Sequence, residues 1–247
     1  MKGSKSILKL VVLSMLVALG VVISPILRVE GMCPMAHFIN IVCSVFMGPW
    51  YSLLCATLIG IIRMTTMGIP PLALTGAVFG ALLSGLAYRL FKGRIIFAVL
   101  GEIIGTGIIG AIVSYPVMDL IMGKEGLSLF FYVPSFICGT LIGGSIAYFF
   151  LRKLADAELL MRLQDKLGSP VYADKRTILS TAITIAAFGA ILFVVFGLIP
   201  GIFGIEEGTT GNTVFRILSY AAIALAVVTA VVYYVVMKVK YKDSETA

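Results

Sequence analysis

Residues 95–122 read IIFAVLGEIIGTGIIGAIVSYPVMDLIM, an apolar run of 28 residues in which only Glu102 and Asp119 carry charge. A β-strand is rarely longer than about 10 residues, whereas a helix needs about 20 apolar residues to cross the core of a bilayer. Inside hydrocarbon every backbone polar group must be paired, and a helix pairs these groups within its own segment. The run therefore predicts a transmembrane helix.

Similar apolar runs occupy most of the remaining chain. The 247 residues are 60% hydrophobic and 13% charged, with a mean hydropathy of +1.09, whereas a soluble domain carries about 25% charged residues. We predict an all-α, polytopic membrane helix bundle in which six spans form a core and two additional transmembrane helices follow at the C-terminal side. The predicted spans are 7–27, a short one at 36–48, 50–67, 71–91, 95–122, 128–151, 177–203 and 213–237.

One extended polar segment separates the first six spans from the last two. Its sequence LADAELLMRLQDKLGSP, residues 154–170, alternates apolar and charged residues, which predicts a helix lying on the membrane surface. We therefore expect three regions. These are a six-span core at 1–153, a cytoplasmic amphipathic linker at 154–176, and two extra transmembrane helices with a cytoplasmic tail at 177–247.

The net charge of +7 comes from short basic clusters between the apolar runs. Membrane topology explains that pattern more simply than nucleic acid binding does, and we expect no nucleic acid partner. With eight spans both chain ends lie on one side, and 15 of the 19 Lys and Arg residues fall on that side. The positive-inside rule then predicts cytoplasmic termini. The run 7–27 exceeds the core of a signal peptide, so we expect an uncleaved first helix.

Motifs for catalysis, metals and cofactors are missing from the sequence. It has no GxxxxGK[ST] phosphate loop, no GxSxG, and one histidine, which excludes HExxH. Four cysteines without a CxxC pair predict neither a zinc site nor a disulfide framework. We expect no catalytic residue, no metal and no cofactor, and hence a binding protein rather than an enzyme.

Polar side chains inside a bilayer are costly, so each one in the core spans is a functional candidate. The densest group extends from Glu30 to Asn40, where an outer loop enters the second span. His37 and Asn40 stand three residues apart on one helical face and could together bind a heteroaromatic ring and a hydroxyl. The alternative is an interfacial histidine beside an asparagine that bonds another helix.

Further candidates lie in the third, fifth and sixth spans. Arg63, near the outer end of the third span, must reach water, a carboxylate or a ligand, or else snorkel to the interface. Tyr115 and Asp119 are one turn apart and could line an outward cavity together with Tyr132, which could instead be an interfacial anchor. Glu102, toward the cytoplasmic third of its span, is expected to tie helices together or to act in coupling.

Short motifs in the core spans follow a recognisable order. They are Glu30-Gly31, Pro34, His37 and Asn40, then Phe46-Met47-Gly48-Pro49, then Ile62-Arg63 with Gly68, and then GAVFGALLSGLAY at 76–88. In this succession the chain resembles the ThiW family, the hydroxyethylthiazole-type S components of energy-coupling factor (ECF) transporters. The resemblance covers about residues 8–153.

The resemblance implies a six-helix substrate-binding subunit in a prokaryotic plasma membrane, with its pocket on the outer side. Such a subunit works with a transmembrane T component and two ATP-binding subunits. The family's Pro-His-Asn stretch falls on Pro34, His37 and Asn40, its Arg on Arg63, and its GExxGTG-like segment on 101–107. The stripe of the first helix that docks on the T component, typically AxxxA, falls on Ser14 and Ala18.

We therefore expect a membrane subunit that imports a thiamine precursor, hydroxyethylthiazole first. The expected substrate-binding residues are Glu30, His37, Asn40, Arg63, Tyr115, Asp119 and Tyr132. Three alternatives stay open: an S component for another vitamin or heterocycle, an integral membrane enzyme that uses Glu102 or Asp119, and a scaffold or channel-like protein with no saturable ligand.

Overall fold

All regular structure among the described residues is helical. The computed structural model describes residues 2–26, 28, 33–172, 178–202 and 205–245. Two π-helical segments, π1 (Ile103–Gly110) and π2 (Val117–Ile121), interrupt the fifth predicted span. The α-helices are α1 (Lys2–Ile26), α2 (Pro34–Met47), α3 (Pro49–Met67), α4 (Leu72–Leu90), α5 (Ile95–Glu102), α6 (Ala111–Pro116), α7 (Val133–Asp156), α8 (Leu159–Lys166), α9 (Ile178–Ile202) and α10 (Thr210–Glu245).

Six helical stretches of the described chain are long and apolar enough to cross a membrane. They are Lys5–Ile26, Pro49–Met67, Leu72–Leu90, Ile95–Ile121, Val133–Asp156 and Thr210–Val239. Shorter apolar helices are α2 and the Ile178–Ala190 part of α9. These helices lie within a few residues of the eight predicted spans, and the prediction of an all-α polytopic membrane bundle is confirmed.

Glycine allows α4 and π1 to approach each other closely. A Cβ atom on Gly105 would lie 2.6 Å from the Cα of Gly80, and one on Gly110 would lie 2.6 Å from the carbonyl oxygen of Gly76. Larger side chains at these positions would force the two helices apart. The close contact holds Glu102, the last residue before π1, against α4.

The polar segment after α7 folds back onto the end of the bundle at which α2 and α4 finish. Gln164 on α8 donates from Nε2 to the carbonyl oxygen of Val45 at 2.9 Å and to the hydroxyl of Tyr88 at 3.0 Å. Leu160 is buried beside them. The predicted amphipathic helix is therefore present as α8, and its buried side packs on the protein.

The chain divides into two compact units, Met1–Asp174 and Lys175–Ala247. The first unit contains α1 to α8. The second contains α9 and α10, which pack along each other with the rings of Phe193 and Tyr220 5.6 Å apart. The candidate residues identified from the sequence all belong to the first unit.

Candidate functional site

A cavity lies where the N-terminal parts of α2, α4 and α7 meet the C-terminal part of α3. It encloses about 640 Å³ of space between atoms, part of it open to the surroundings. Small-molecule sites are usually apolar, with a few polar groups that orient the ligand. The cavity has that character, because its lining is mostly apolar. The polar lining residues among those described are Arg28, Cys33, His37, Arg63, Thr106 and Ser135.

The shortness of α2 brings His37 to the cavity wall. The helix has 14 residues, which at a rise of about 1.5 Å per residue gives a length of about 21 Å. It begins at Pro34, whose fixed φ and missing N–H suit the first turn of a helix. A helix this short does not cross a hydrocarbon core of about 30 Å. Its first turn, which carries His37, therefore lies inside the bundle.

Glu102 is completely buried, and one of its oxygens meets three polar side chains. Its Oε1 lies 2.9 Å from His37 Nδ1 and accepts hydrogen bonds from Asn40 Nδ2 at 3.0 Å and Thr106 Oγ1 at 3.1 Å. Because Oε1 is an acceptor here, the facing nitrogen of His37 is the one that carries a hydrogen. A neutral His37 then presents Nε2 as an acceptor, and Nε2 makes no hydrogen bond with the described residues.

The second oxygen of Glu102 has no hydrogen-bond partner among the described residues, although it is buried. A Cβ atom on Gly80 would lie 2.7 Å from this oxygen, so the carboxylate fits only because position 80 has no side chain. Polar groups buried in this way cost free energy and are typical of functional sites in membrane bundles. Together, His37, Asn40, Glu102 and Thr106 form a polar cluster behind the cavity.

Arg63 occupies the opposite side of the cavity and is only 2% exposed. Its Nη2 donates to the sulfur of Cys33 at 3.2 Å, and its Nε is buried without a partner among the described residues. The described residues place no carboxylate within ion-pair distance of this guanidinium. A buried cation with a weak thiol acceptor as its partner is available to a ligand.

The remaining predicted substrate-binding residues have different positions. Tyr115 and Asp119 are half-buried and do not line the cavity. Tyr132 is buried outside the lining, with its ring 5.9 Å from that of Phe136, which is part of the lining. Glu30 lies outside the described residues.

Ser14 and Ala18 lie together on the exposed face of α1. The hydroxyl of Ser14 donates to the carbonyl oxygen of Leu10 at 2.9 Å, so it is satisfied within the helix. The opposite face buries Leu13 and Val17. The small-residue face of α1 therefore points away from its own bundle.

Four of the lining residues that the reasoning from sequence missed lie near residues that it named. Arg28 and Cys33 flank the connection that contains Glu30, and Ser135 and Phe136 follow Tyr132 in the first turn of α7. The sequence offered one signal for Ser135 and Phe136, namely a hydroxyl next to an aromatic ring in the first turn of a span. Among the described residues there is no group of three or more His, Cys, Asp or Glu side chains that could hold a metal ion.

Comparison with known protein families identifies the family of the chain. A family model described as "Thiamine-precursor transporter protein (ThiW)" matches residues 10–157, which is more than half of the chain and includes every lining residue of the cavity. No curated protein and no solved structure matches the chain.

Proposed function

Because the chain belongs to the ThiW family of thiamine-precursor transporter proteins, we propose that it is the S component of an ECF importer and binds hydroxyethylthiazole. It is a multi-pass membrane protein of a transporter family, so its substrate is a small molecule. The observation that carries the proposal is the cavity with His37 held at its wall by Glu102. An importing subunit needs a small-molecule site inside its bundle, and the apolar lining of this cavity supports it as that site.

In the proposed complex the alcohol of the substrate donates a hydrogen bond to His37 Nε2. The ring packs against Phe136 and the apolar residues Ile69 and Leu72, which share the lining. The hydroxyl of Ser135 already donates to the carbonyl oxygen of Tyr132 at 3.1 Å, and it can still accept a bond from a ligand. These groups match a heteroaromatic ring with one short alcohol.

Asn40 and Glu102 act through His37 in this proposal. Glu102 fixes which ring nitrogen of His37 faces the cavity, and Asn40 supports Glu102 with its 3.0 Å bond. Tyr132 supports Phe136, whose ring lies 5.9 Å from its own. Tyr115 and Asp119 lie away from the cavity, and we assign them no contact with the substrate.

The energy for import would come from partner proteins. The sequence has no phosphate loop of its own, and a T component with two ATP-binding subunits would supply ATP hydrolysis. We propose that the T component docks on the α1 face that carries Ser14 and Ala18, since both are exposed. The end with α8 would face the cytoplasm, because the basic residues Arg89, Lys92 and Arg94 lie there, in the last turn of α4 and just after it.

Calorimetric titration of the purified protein with hydroxyethylthiazole, thiamine and riboflavin tests the assignment of the substrate. We expect saturable binding of hydroxyethylthiazole with the lowest Kd of the three. Binding of none of them, or a preference for riboflavin, contradicts the proposal.

Copurification with a tagged T component tests the docking face. Ala18→Trp should reduce the amount of T component recovered, because the bulky ring prevents close approach of another helix. Undiminished recovery with Ala18→Trp, or no recovery with the unchanged protein, speaks against docking at α1.

A further inference from the structure

The charge of Arg63 has no counterpart in the described part of the cavity. The guanidinium is 2% exposed, its Nε lacks a hydrogen-bond partner among the described residues, and Nη2 contacts only the sulfur of Cys33 at 3.2 Å. A thiol is a weak acceptor. A buried cation is ordinarily paired with a carboxylate, because burial removes its hydration.

The other side chains of the lining do not supply that counterpart. Arg28 is a second cation in the lining, and no Asp or Glu lines the cavity among the described residues. The nearest carboxylate in the polar cluster is that of Glu102, whose Oε1 is already bonded to His37, Asn40 and Thr106. The described residues of the lining therefore carry net positive charge.

We infer that Arg63 selects substrates by charge: the cavity prefers a small ring compound that carries an oxyanion, such as a phosphate monoester, and disfavours a cationic ring. This inference rests on the proposed function, since it concerns the same cavity and the same ring. Guanidinium presents two parallel N–H groups that match two oxygens of a phosphate or a carboxylate. Its Nε–H is the donor without a partner here.

Thiamine is the informative contrast because its thiazole ring is a thiazolium cation. A fixed positive charge on the ligand, placed beside the buried Arg63 with no carboxylate among the described lining residues, meets repulsion that burial leaves weakly screened. Attraction and repulsion by the charge of Arg63 therefore predict an order of affinities: the anionic thiazole binds most tightly, the neutral thiazole less tightly and the thiazolium least.

The test is a calorimetric titration of the purified full chain with hydroxyethylthiazole phosphate, hydroxyethylthiazole and thiamine. We expect the phosphate ester to bind at least about 10-fold more tightly than the alcohol, as for a charge-assisted hydrogen bond. We expect thiamine to bind more weakly than the alcohol. Equal affinities for ester and alcohol, or tighter binding of thiamine, overturn the inference.

Two variants at one position connect the ranking to Arg63. Arg63→Gln should remove the preference for the ester, so that the ester and the alcohol bind with similar affinity. Arg63→Lys should retain part of the preference, because it keeps the charge but loses the forked donor. A preference for the ester that survives Arg63→Gln in a folded protein overturns the role of Arg63. If Arg63→Gln does not fold, the order of affinities measured with the unchanged protein still tests charge selection.

The ligand set separates this inference from the proposed function. If the alcohol binds and the ester is no better, charge selection fails and the thiazole assignment stands. If no thiazole compound binds but a phosphorylated pyrimidine alcohol binds more tightly than its parent alcohol, the ring assignment fails and charge selection stands. If no ligand binds, both fail.

Discussion

His37 Nδ1 lies 2.9 Å from Glu102 Oε1, although 65 residues separate the two in the chain. The contact joins α2 to the end of α5, and Asn40 and Thr106 add two more hydrogen bonds to the same oxygen. The contact holds the imidazole through Nδ1, and Nε2 makes no hydrogen bond with the described residues. In the proposed complex the role of Glu102 is therefore to position His37.

Glu102→Gln should weaken hydroxyethylthiazole binding about 10-fold, because a neutral amide holds the imidazole less firmly than a carboxylate does. His37→Ala should cause at least as large a loss. If Glu102 acts through His37, the double variant should bind about as weakly as His37→Ala alone. Titration calorimetry measures all three, and losses that simply add would show that Glu102 acts independently. A substrate turned over by the unchanged protein would favour an enzyme instead.

Cys33 is half-buried at the cavity, whereas Cys43, Cys55 and Cys138 are buried. A charged, membrane-impermeant thiol reagent should therefore label the protein mainly at Cys33, and saturating hydroxyethylthiazole should slow the labelling. Mass spectrometry of the labelled protein measures both effects, with Cys33→Ser as the control. Labelling at the same rate with and without ligand would place the ligand elsewhere.

The same reagent tests orientation when it is applied to intact cells. The proposed topology exposes the cavity end to the outside, so Cys33 should react without permeabilisation. Reaction only after the cells are opened would reverse the proposed orientation.

Gly80→Ala should disturb the polar cluster, because its Cβ would overlap Thr106 Oγ1 and lie 2.7 Å from Glu102 Oε2. Overpacking of this kind typically costs about 1 to 3 kcal/mol. We expect a lower unfolding temperature and weaker hydroxyethylthiazole binding. Gly197→Ala on α9 is the matched control, because its Cβ would meet no atom within 4 Å among the described residues. If the two variants had the same unfolding temperature and the same affinity for hydroxyethylthiazole, the cluster would tolerate the extra methyl group.

Gln164→Ala should loosen α8 from the bundle, since it removes the bonds to Val45 and Tyr88. Leaving the carbonyl oxygen of Val45 without this donor should cost about 1 to 3 kcal/mol. Limited proteolysis should cut faster near α8, while binding at the distant cavity should change little. Arg162→Ala is the control on the same helix, because its side chain is 70% exposed. An unchanged cleavage rate for Gln164→Ala would show that the bonds of Gln164 do not hold α8.

The helices were predictable from the sequence because apolar runs such as 95–122 are long enough to cross a bilayer and too long for a β-strand. The depth of the polar side chains within the bundle was not predictable in this way. We expected His37 near the outer loop that enters the second span and Glu102 toward the cytoplasmic third of the fifth span, two levels that do not fit a 2.9 Å contact. The reason is the length of α2, since a helix of 14 residues starts within the bundle.

The positions of Tyr115 and Asp119 show a second limit of sequence reasoning. We grouped them with the cavity from regular helical spacing, but π2 begins directly after Pro116 and changes that spacing. Arg63 and His37 were found because a polar side chain in an apolar run stands out. Phe136 was missed because an aromatic residue in an apolar run does not stand out from its neighbours.

The measurement that tests the central claim most directly is titration of a variant whose cavity has been filled. Ala73 lines the cavity on α4, whereas Ala87 on the same helix does not. With hydroxyethylthiazole as ligand, Ala73→Phe should abolish measurable binding, and Ala87→Phe should bind like the unchanged protein. Normal binding by a folded Ala73→Phe protein would contradict the claim that this cavity holds the substrate.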